Sequence, residues 1–423
     1  MKVAIVGAGI SGLTVAAQLH GEHDVTVFEA AGHIGGHTHT VRVDTPSGPF
    51  DVDTGFVVFN ERTYPDFCAM LARLGVASRP TTMGFSVTDR RSGIEYGGET
   101  LDAVFAQRRN LVNPSFLRML ADILRFNREA LALVEGPHAN ATLGELCDRA
   151  GFSEGFRDRY LVPMGAAIWS SSERDMRDFP AAFFVRFFRN HGLLEPPAKQ
   201  PRWRVVSGGS HTYVAPLIRP FADRVHARTP VRGVRRTATG VEVRLDGGAR
   251  EFDQVVFATH SDQALALLTD ASPLEREVVG AFRYQSNTAV LHTDTSVLPR
   301  SRRAWSSWNY HLPADLQAPV SVTYDMTTLQ GLSSPERFLV SLNESGQVAA
   351  SRVIRRMTFE HPVFTREALA AQERHSEVSG PNRVHFCGAY WRNGFHEDGL
   401  ASGLAVARAM KAARLRSAEP AFA

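Results

Sequence analysis

The sequence predicts an α/β fold in which a parallel sheet is interleaved with a second, α+β domain. Two observations support this prediction. Residues 2–29 read as strand, glycine-rich turn, helix and strand in direct succession, and residues 253–259 and 384–388 read as further short apolar strands. Between these segments lie helical stretches and runs in which apolar and polar side chains alternate, which is typical of half-buried strands.

The first strand leads directly into a turn with GxGxxG spacing. Gly7 permits the tight turn, Gly9 allows a pyrophosphate to approach the backbone, and Gly12 allows helix and strand to pack closely. Ser11 lies where the helix begins, and the free N–H groups there favour an anion. Glu29 ends the second strand, where a carboxylate can bind ribose hydroxyls. The stretch therefore predicts a Rossmann-type dinucleotide site with an unphosphorylated ribose, as in FAD or NAD.

The residues after Glu29 distinguish between these two cofactors. Residues 32–40 read GHIGGHTHT and residues 51–56 read DVDTGF. This segment resembles the FAD-binding start of the flavin amine oxidase superfamily, which includes amine oxidases, phytoene-type desaturases and protoporphyrinogen oxidases. The pattern is matched at Glu29, Gly35, Gly36, Asp53 and Gly55. It differs at His37, where the family usually has an arginine, and a neutral imidazole makes a weaker phosphate contact than a guanidinium group.

A second signature lies near the end of the chain. Residues 384–390 read as a strand that ends at Gly388 and Ala389, and residues 391–404 open the last helix. This stretch resembles the C-terminal flavin motif of the same superfamily. There the helix N-terminus faces the pyrimidine edge of the flavin and stabilises the negative charge that develops on reduction. Two signatures in this order are far more specific than either one alone.

The resemblance covers essentially the whole chain and implies non-covalently bound FAD. It also implies a glutathione-reductase-like FAD-binding domain built from residues 1–80, 204–270 and 376–423, with a substrate domain built from residues 81–203 and 271–375. The residues expected to contact the cofactor are Gly7, Gly9, Ser11, Gly12, Glu29, Gly35, Gly36, His37, Gly55, Phe56, Val231, Gly388, Ala389, Phe395, His396, Gly399 and Leu400.

Composition narrows the class of protein. The chain has 423 residues, of which 43% are hydrophobic and 22% charged, as in an ordinary soluble protein. A net charge of +3 is too small to indicate a nucleic-acid partner. Three widely spaced cysteines, Cys68, Cys147 and Cys387, argue against a disulfide framework or a metal site. With a strand at residue 2 and no apolar run of ~18 residues, we expect a cytoplasmic protein, with peripheral contact to the inner face of the membrane left open.

Two segments are expected to form part of the substrate domain. Residues 114–134 predict a helix with Leu117, Leu120, Leu124 and Leu131 on one face. Residues 160–194 are the most aromatic part of the chain. They predict either a buried helix or an apolar channel or membrane-touching edge that admits a lipid. The side chains expected to face the substrate are Trp169, Phe184, Asn287 and Tyr390.

Candidate catalytic groups follow from the same resemblance. His396 and Glu397 would lie beside the flavin as an acid/base or flavin-tuning pair, and helix capping is the alternative role. His361 could reach the site from the substrate domain. Amine oxidases of the superfamily generally place a lysine there, linked by water to flavin N5, whereas this chain has Asn287 in that region. Its lysines are Lys2, Lys199 and Lys411, so the usual oxygen-activating site is not expected.

The combination of PMGAAIWS, NHGLL, GGS and GFHEDG resembles a bacterial subgroup of FAD-dependent oxidoreductases associated with modified fatty acids. The resemblance implies hydride removal from a carbon centre of a lipid-like small molecule, as in a fatty acyl desaturase or dehydrogenase. Three alternatives stay open. They are a flavin amine oxidase, a flavin-dependent isomerase of fatty acid double bonds, and a non-catalytic FAD-binding partner in a lipid-modifying complex.

Overall fold

The computed structural model describes residues 1–135, 140–169, 171, 173–196, 199–314, 320–344 and 346–418. The strands are β1 (Lys2–Val6), β2 (Asp24–Phe28), β3 (Thr40–Thr45), β4 (Gly48–Asp53), β5 (Val58–Asn60), β6 (Ser78–Pro80), β7 (Phe85–Asp89), β8 (Ile94–Gly97), β9 (Trp203–Val206), β10 (Val225–His226), β11 (Gly233–Arg236), β12 (Val241–Leu245), β13 (Gly248–Phe252), β14 (Gln254–Phe257), β15 (Arg283–His292), β16 (Trp308–Leu312), β17 (Ser321–Asp325), β18 (Leu339–Leu342), β19 (Val353–Val363) and β20 (Val384–Phe386).

The α-helices are α1 (Ile10–Leu19), α2 (Pro65–Leu74), α3 (Leu101–Val104), α4 (Pro114–Leu133), α5 (Leu143–Arg149), α6 (Glu154–Phe156), α7 (Val162–Trp169), α8 (Glu173–Arg177), α9 (Ala181–Asn190), α10 (Val214–Ile218), α11 (Ser261–Leu267), α12 (Pro273–Val279), α13 (Met326–Leu329), α14 (Arg366–Glu373), α15 (His375–Val378) and α16 (His396–Ala418). None of these described helices is both long and apolar enough to cross a membrane.

A five-stranded parallel sheet has the order β10-β2-β1-β14-β20. Every neighbouring pair in it is parallel. The central strand β1 buries Val3, Ala4 and Ile5 completely, because helices and loops cover both faces of the sheet. The apolar runs at residues 3–6 and 254–257 thus form the sheet that the sequence predicted, and the α/β fold class is confirmed.

A second, seven-stranded sheet has the order β19-β15-β18-β17-β16-β7-β8. Its pairs are antiparallel except for β16 with β7. Its strands come from residues 85–97, between β2 and β10 in the sequence, and from residues 283–363, between β14 and β20. The helices of residues 114–190 pack against this sheet through a large aromatic core. The chain therefore alternates between the two sheets, and the strands of the parallel sheet come from separate parts of the sequence.

Helices α1 and α16 cross at very short distance, and two glycines make this crossing feasible. A Cβ atom at Gly403 would lie 2.5 Å from the Ser11 carbonyl oxygen, and one at Gly399 would lie 3.0 Å from Ile10 Cγ2 and Ser11 Oγ. A side chain at either position would force the helices apart. The first and last signatures of the sequence therefore meet at one place in the structure.

The sequence of residues 213–221 predicts a helix, but the chain does not form a continuous one there. It forms a 3₁₀ turn at Ser210–Tyr213, the short helix α10, and a second 3₁₀ turn at Arg219–Arg224. Pro216 and Pro220 explain the break, because proline lacks the N–H donor of a helical turn and clashes with the carbonyl one turn earlier. The alternating residues 229–234 predict a strand, and β11 begins within them at Gly233.

Helix α4 has two apolar faces. Its buried face is formed by Phe116, Met119, Phe126 and Ala130, which pack into the aromatic core. The leucines that the sequence placed on one face lie elsewhere on the helix. Leu117, Leu124 and Leu131 are exposed, and Leu120 is partly buried.

Candidate active site

The glycine turn forms one wall of a large cavity between the two sheets. Gly7 has a φ of +103°, and a Cβ atom there would lie 2.7 Å from the Ala258 carbonyl oxygen. A Cβ atom at Gly12 would lie 2.1 Å from the Gly7 carbonyl oxygen. Only glycine fits these two positions, and the α1 N-terminus lies at the cavity, with Ile10 and Ser11 in its wall.

Glu29 lies beside this turn, at the end of β2. Its Oε2 accepts the Ala8 N–H at 2.9 Å and its Oε1 accepts the Ala31 N–H at 2.8 Å. The carboxylate lines the cavity. It therefore holds the turn in shape and keeps acceptor capacity for hydroxyl groups of a ligand.

The second glycine pair packs across the first turn. Gly35 donates its N–H to the Ala8 carbonyl at 2.9 Å. A Cβ atom at Gly36 would lie 3.0 Å from Gly9 Cα. The cavity is lined here by Gly9 and Gly36, whereas Gly35 lies behind them. The resulting cleft between backbone segments has no side chain at its base.

His37 follows this pair and begins a cluster of imidazoles. Its ring lies 5.5 Å from that of His361 and 6.4 Å from that of His260, measured between centroids. Its Nε2 is buried without a hydrogen-bond partner. Burial, with the nearby His361 as a second cause, lowers the pKa of His37 to about 3. His37 is therefore neutral at pH 7, with ring polarity available to a ligand in the cavity.

The C-terminal signature forms the opposite wall. Gly388, Ala389, Phe395 and Gly399 all line the cavity. Leu400 does not, because its side chain is buried in the core beneath the parallel sheet. The N-terminal turn of α16 is thus directed at the cavity, as the resemblance implied for a helix dipole facing a flavin.

His396 is held rigidly at this helix start. Its ring stacks on Phe56 with a centroid distance of 3.9 Å and an interplanar angle of 11°. Its Nε2 lies 2.9 Å from the Tyr213 hydroxyl, which in turn lies 2.5 Å from Thr38 Oγ1. Burial lowers the pKa of His396 to about 3. Tyr213 was not among the site residues expected from the sequence, since nothing in its spacing indicated this contact.

Glu397 does not line the cavity. Its two carboxylate oxygens accept the backbone N–H groups of Asp66 and Phe67 at 2.9 Å each, at the start of α2. Burial raises the pKa of Glu397 to about 7. The geometry assigns this side chain to capping α2, the alternative role that the sequence left open, and away from the candidate catalytic pair.

His361 lies in the cavity wall, and Asn287 lies behind it. Asn287 Oδ1 accepts from Asn343 Nδ2 at 2.7 Å, while its Nδ2 lies 2.9 Å from His361 Nδ1. This network makes the amide a donor, so that His361 Nδ1 accepts and Nε2 carries the proton. Asn287 is fully buried and does not reach the cavity. It orients His361 and is not a substrate contact.

His260 was not among the expected site residues, although it ends the strand segment at residues 253–259. Its Nδ1 lies 3.7 Å from Glu360 Oε2, and its ring stacks on Tyr284 at 4.4 Å. All three side chains line the cavity. The signal in the sequence was the histidine itself, which stands where the family more often has proline or glycine.

The aromatic segment divides between core and cavity. Trp169 and Phe187 line the cavity, and Tyr390 does so from the other side. Phe184 is fully buried, stacks on Phe188 at 4.1 Å, and does not line the cavity. None of the α9 phenylalanines is exposed. The segment is therefore a buried helix with one cavity-facing edge, and the expected membrane-touching edge does not lie here.

The cavity has a volume of about 1980 Å³. Ordinary ligand pockets occupy roughly 300–1,000 Å³, so there is room for a dinucleotide and a second molecule. The part near the parallel sheet has the backbone cleft, the carboxylate of Glu29 and Val231. The outer part is lined mainly by apolar side chains, among them Leu120, Ile123, Tyr160, Met164 and Ile168. The described residues therefore fit a flavin dinucleotide at one end and leave a largely apolar compartment at the other.

The flavin-containing amine oxidoreductase family model matches residues 10–328 of the chain. The chain belongs to this family. FAD is accordingly its cofactor, and the protein is an FAD-dependent oxidoreductase. None of Cys68, Cys147 and Cys387 lines the cavity, which agrees with the non-covalent binding implied by the resemblance.

Solved structures of the same fold act on different substrates. The structure of cyclohexylamine oxidase from Brevibacterium oxydans matches this chain with a TM-score of 0.69 and 16% sequence identity. The match covers 97% of this chain and 99% of the oxidase. A fatty acid isomerase from P. acnes that produces CLA has a TM-score of 0.68 at 16% identity, covering 96% and 98%. Putrescine oxidase bound to putrescine has a TM-score of 0.67 at 16% identity, covering 97% and 99%. At such identities the likeness establishes the fold and leaves the substrate open.

Proposed function

We propose that this family member oxidises a carbon–carbon bond of a long-chain fatty acyl substrate. The observation that supports the proposal is the outer part of the cavity, where aliphatic and aromatic side chains from α4, α7 and α9 form a continuous wall. A chain of CH₂ groups gains ~0.8 kcal/mol for each group buried in such surroundings. The same wall suits a protonated amine poorly, because burying an ammonium without a partner is costly.

FAD, when bound, supplies a hydride acceptor next to the α16 N-terminus. In the proposed reaction one substrate carbon loses a hydride to the cofactor, its neighbour loses a proton, and a C=C bond forms between them. His260 is the side chain placed to accept the proton. Burial lowers the pKa of His260, so its imidazole is free to accept, and Glu360 at 3.7 Å partly offsets this shift by favouring the imidazolium. His361 presents Nε2–H to the cavity and can donate a hydrogen bond to a polar group of the substrate.

A redox-neutral isomerase is a second candidate, in which the hydride returns to a different carbon. The observation that favours it is the absence of lysine from the cavity wall among the described residues. An isomerase returns the hydride to its substrate, so its flavin does not have to be reoxidised by O₂ and a lysine that activates oxygen is not required. The two candidates differ in outcome, since an oxidation leaves the flavin reduced under anaerobic conditions and an isomerisation leaves it oxidised.

An ammonium bound in the outer cavity would be stabilised by a carboxylate. Glu99, Glu195 and Glu360 line the cavity. Glu195 is paired with Arg62 at 3.3 Å, Glu360 lies 3.7 Å from His260 Nδ1, and burial raises the pKa of Glu99. A paired or partly buried carboxylate is a weaker partner for an ammonium than a free one, so this wall favours the hydrocarbon.

The test is a titration of the flavin absorbance with fatty acids of increasing length. We expect affinity to rise by up to about fourfold for each added CH₂ until the cavity is filled. Ile123→Trp should end this rise at a shorter chain, because Ile123 lines the cavity. Leu131→Trp is the matched control on the same helix, since Leu131 is exposed and lies outside the cavity wall. Affinity independent of chain length, with tight binding of a short amine, would favour the amine oxidase.

Peripheral contact with a membrane belongs to the same proposal. Long acyl chains are found in lipid bilayers, so a protein bound to the bilayer surface has direct access to such a substrate. The aromatic segment of α9 is buried and cannot provide this contact. The surface that could do so lies elsewhere in the fold.

A further inference from the structure

The stretch between residues 101 and 131 is unusually rich in exposed apolar side chains. Of the eight large hydrophobic residues that are exposed in the described part of the chain, six fall in this stretch. Val112 is 81% exposed, Leu101 79% and Leu124 70%. We name the surface of this stretch the leucine face, and its members are Leu101, Leu111, Val112, Leu117, Leu124 and Leu131. Exposed apolar side chains concentrated in one part of a fold are typical of an interaction site.

Three of these side chains lie on one side of helix α4. Leu117, Leu124 and Leu131 are seven residues apart, which places them above one another on the same side of the helix. The core takes the opposite side, through Phe116 and Met119. The helix thus packs one apolar side against the core and presents a second apolar stripe to solvent. Packing within the protein does not require this second stripe.

The leucine face is continuous with the mouth of the cavity. Leu101 and Leu124 are strongly exposed and also line the cavity. Arg128 does the same, with 73% of its side chain exposed. The inner surface of α4 supplies Leu120 and Ile123 to the outer cavity wall. A hydrocarbon chain can therefore pass from this face into the cavity along apolar side chains.

Charge around the face favours an anionic surface. Residues 101–131 contain five arginines and three acidic residues. One of the acids, Asp122, is buried and paired with Arg118 and Arg125. The side chains of Arg108 and Arg118 are 51% and 59% exposed, and they pair with Asp102 and Asp122. Five arginines less three acids leave the stretch with a net charge of +2. Guanidinium groups pair with phosphate in two parallel hydrogen bonds, which suits phospholipid headgroups.

From these observations we infer that the leucine face docks onto an anionic phospholipid bilayer and opens the cavity directly to its acyl chains. The inference rests on the proposed lipid substrate and adds the surface and the orientation. A second protein molecule on this face would cover the cavity mouth, whereas a bilayer would supply it with substrate. Leucines dip below the headgroups and arginines stay at their level, as in helices that lie in the membrane interface.

The test is co-sedimentation of the FAD-loaded protein with vesicles. Vesicles of phosphatidylglycerol and phosphatidylcholine should bind it, phosphatidylcholine alone should bind it weakly, and salt should reduce binding. The double variant Leu111→Ser/Val112→Ser should partition about tenfold less, because both side chains are exposed and neither lines the cavity. Ile354→Ser is the control, since Ile354 is 38% exposed outside the face. Flavin content and melting temperature establish that each variant is folded.

Equal partitioning of the double variant and the unsubstituted protein would overturn the inference, as would failure of the protein to bind either kind of vesicle. A dimer that dissociates in the double variant, seen by sedimentation velocity without vesicles, would assign the face to a second copy. The fatty acid titration separates the two proposals. A chain-length response without vesicle binding refutes docking alone, and vesicle binding without any response to fatty acids refutes the substrate proposal alone.

Discussion

Glu29 has two tasks that a single substitution can separate. Its carboxylate accepts two backbone N–H groups and also lies in the cavity wall where the ribose of FAD is expected. We expect Glu29→Ala to weaken FAD binding by about 1–3 kcal/mol, the usual cost of losing a charged hydrogen-bond partner. Glu29→Gln keeps one acceptor and should lose less. Flavin fluorescence in equilibrium titrations measures both, and equal affinity in all three proteins would contradict the assignment.

His260 and His361 should respond differently to substitution. His260→Asn removes the proposed proton acceptor, and we expect flavin reduction by substrate to slow by about 10²–10⁴-fold. His361→Asn retains an N–H donor and should change affinity more than rate. Rapid mixing of the oxidised protein with substrate under anaerobic conditions gives both quantities. An unchanged reduction rate in His260→Asn would remove this residue from the mechanism.

The lysine content of the site also carries a prediction. Lys2, Lys199 and Lys411 are the chain's lysines, and none lines the cavity. We expect the reduced flavin to react slowly with O₂, because no ammonium stands near it to stabilise the developing anion. Stopped-flow mixing of reduced protein with oxygenated buffer measures the rate. Reoxidation as fast as in an amine oxidase would show that another group performs this task.

At this scale sequence reasoning works best where the backbone itself requires a residue type. Gly7 and Gly36 have φ values of +103° and +60°, and both line the cavity, because their left-handed backbone favours glycine. Side-chain roles that depend on distant parts of the chain were not accessible. The bond between Glu397 and the Asp66 N–H at the start of α2 spans 331 positions, and no local pattern encodes it.

At the scale of elements, the crossing of α1 and α16 should be sensitive to volume. We expect Gly403→Val to destabilise the protein by about 1–3 kcal/mol and to weaken FAD binding, because a Cβ atom there would lie 2.5 Å from the Ser11 carbonyl oxygen. Gly21→Ala is the control, since a Cβ atom at Gly21 meets nothing within 4 Å. Thermal unfolding with and without FAD measures both effects, and equal melting temperatures would contradict this account.

Elements with a strong internal pattern were predictable. The helix expected at residues 114–134 is observed at Pro114–Leu133. The alternation of apolar and polar residues over 84–98 predicts a hairpin, which β7 and β8 form. The sequence from Thr142 to Glu145 predicts a capping box, which is present. The faces of α4 were not predictable, because two apolar stripes on one helix give the same periodicity and only the tertiary fold decides which one is covered.

At the scale of the whole molecule, buried histidines make stability depend on pH. Burial is the main cause that lowers the pKa of His37 and His396 to about 3, and of His39, His191, His292, His311, His361 and His385 to about 4. Below about pH 6.5 these imidazoles bind protons in the unfolded chain but stay neutral in the folded chain. The free energy of unfolding therefore falls as pH drops from about 6.5 to about 4.

Three buried carboxyl groups act in the opposite direction. Burial raises the pKa of Asp53 and Asp398 to about 6 and of Glu397 to about 7, so the folded state binds their protons first. The eight imidazoles outnumber them, and we expect the melting temperature to fall between pH 7 and pH 5 in the presence of excess FAD. His385→Asn should flatten this dependence, because it removes one such imidazole and keeps a donor for Gln254. A melting temperature that rises over this interval would contradict the prediction.

The joining of α1 and α16 also bears on how the protein is made. The cofactor cleft is built from β1 and α1 and from β20 and α16, and more than 360 residues are synthesised between these two pairs. A nascent chain therefore exposes its glycine turn long before the wall that completes the site exists. Fragments that stop before β20 should stay colourless even when β1 and α1 are intact, and yellow colour during expression becomes a direct measure of chains that extend through α16.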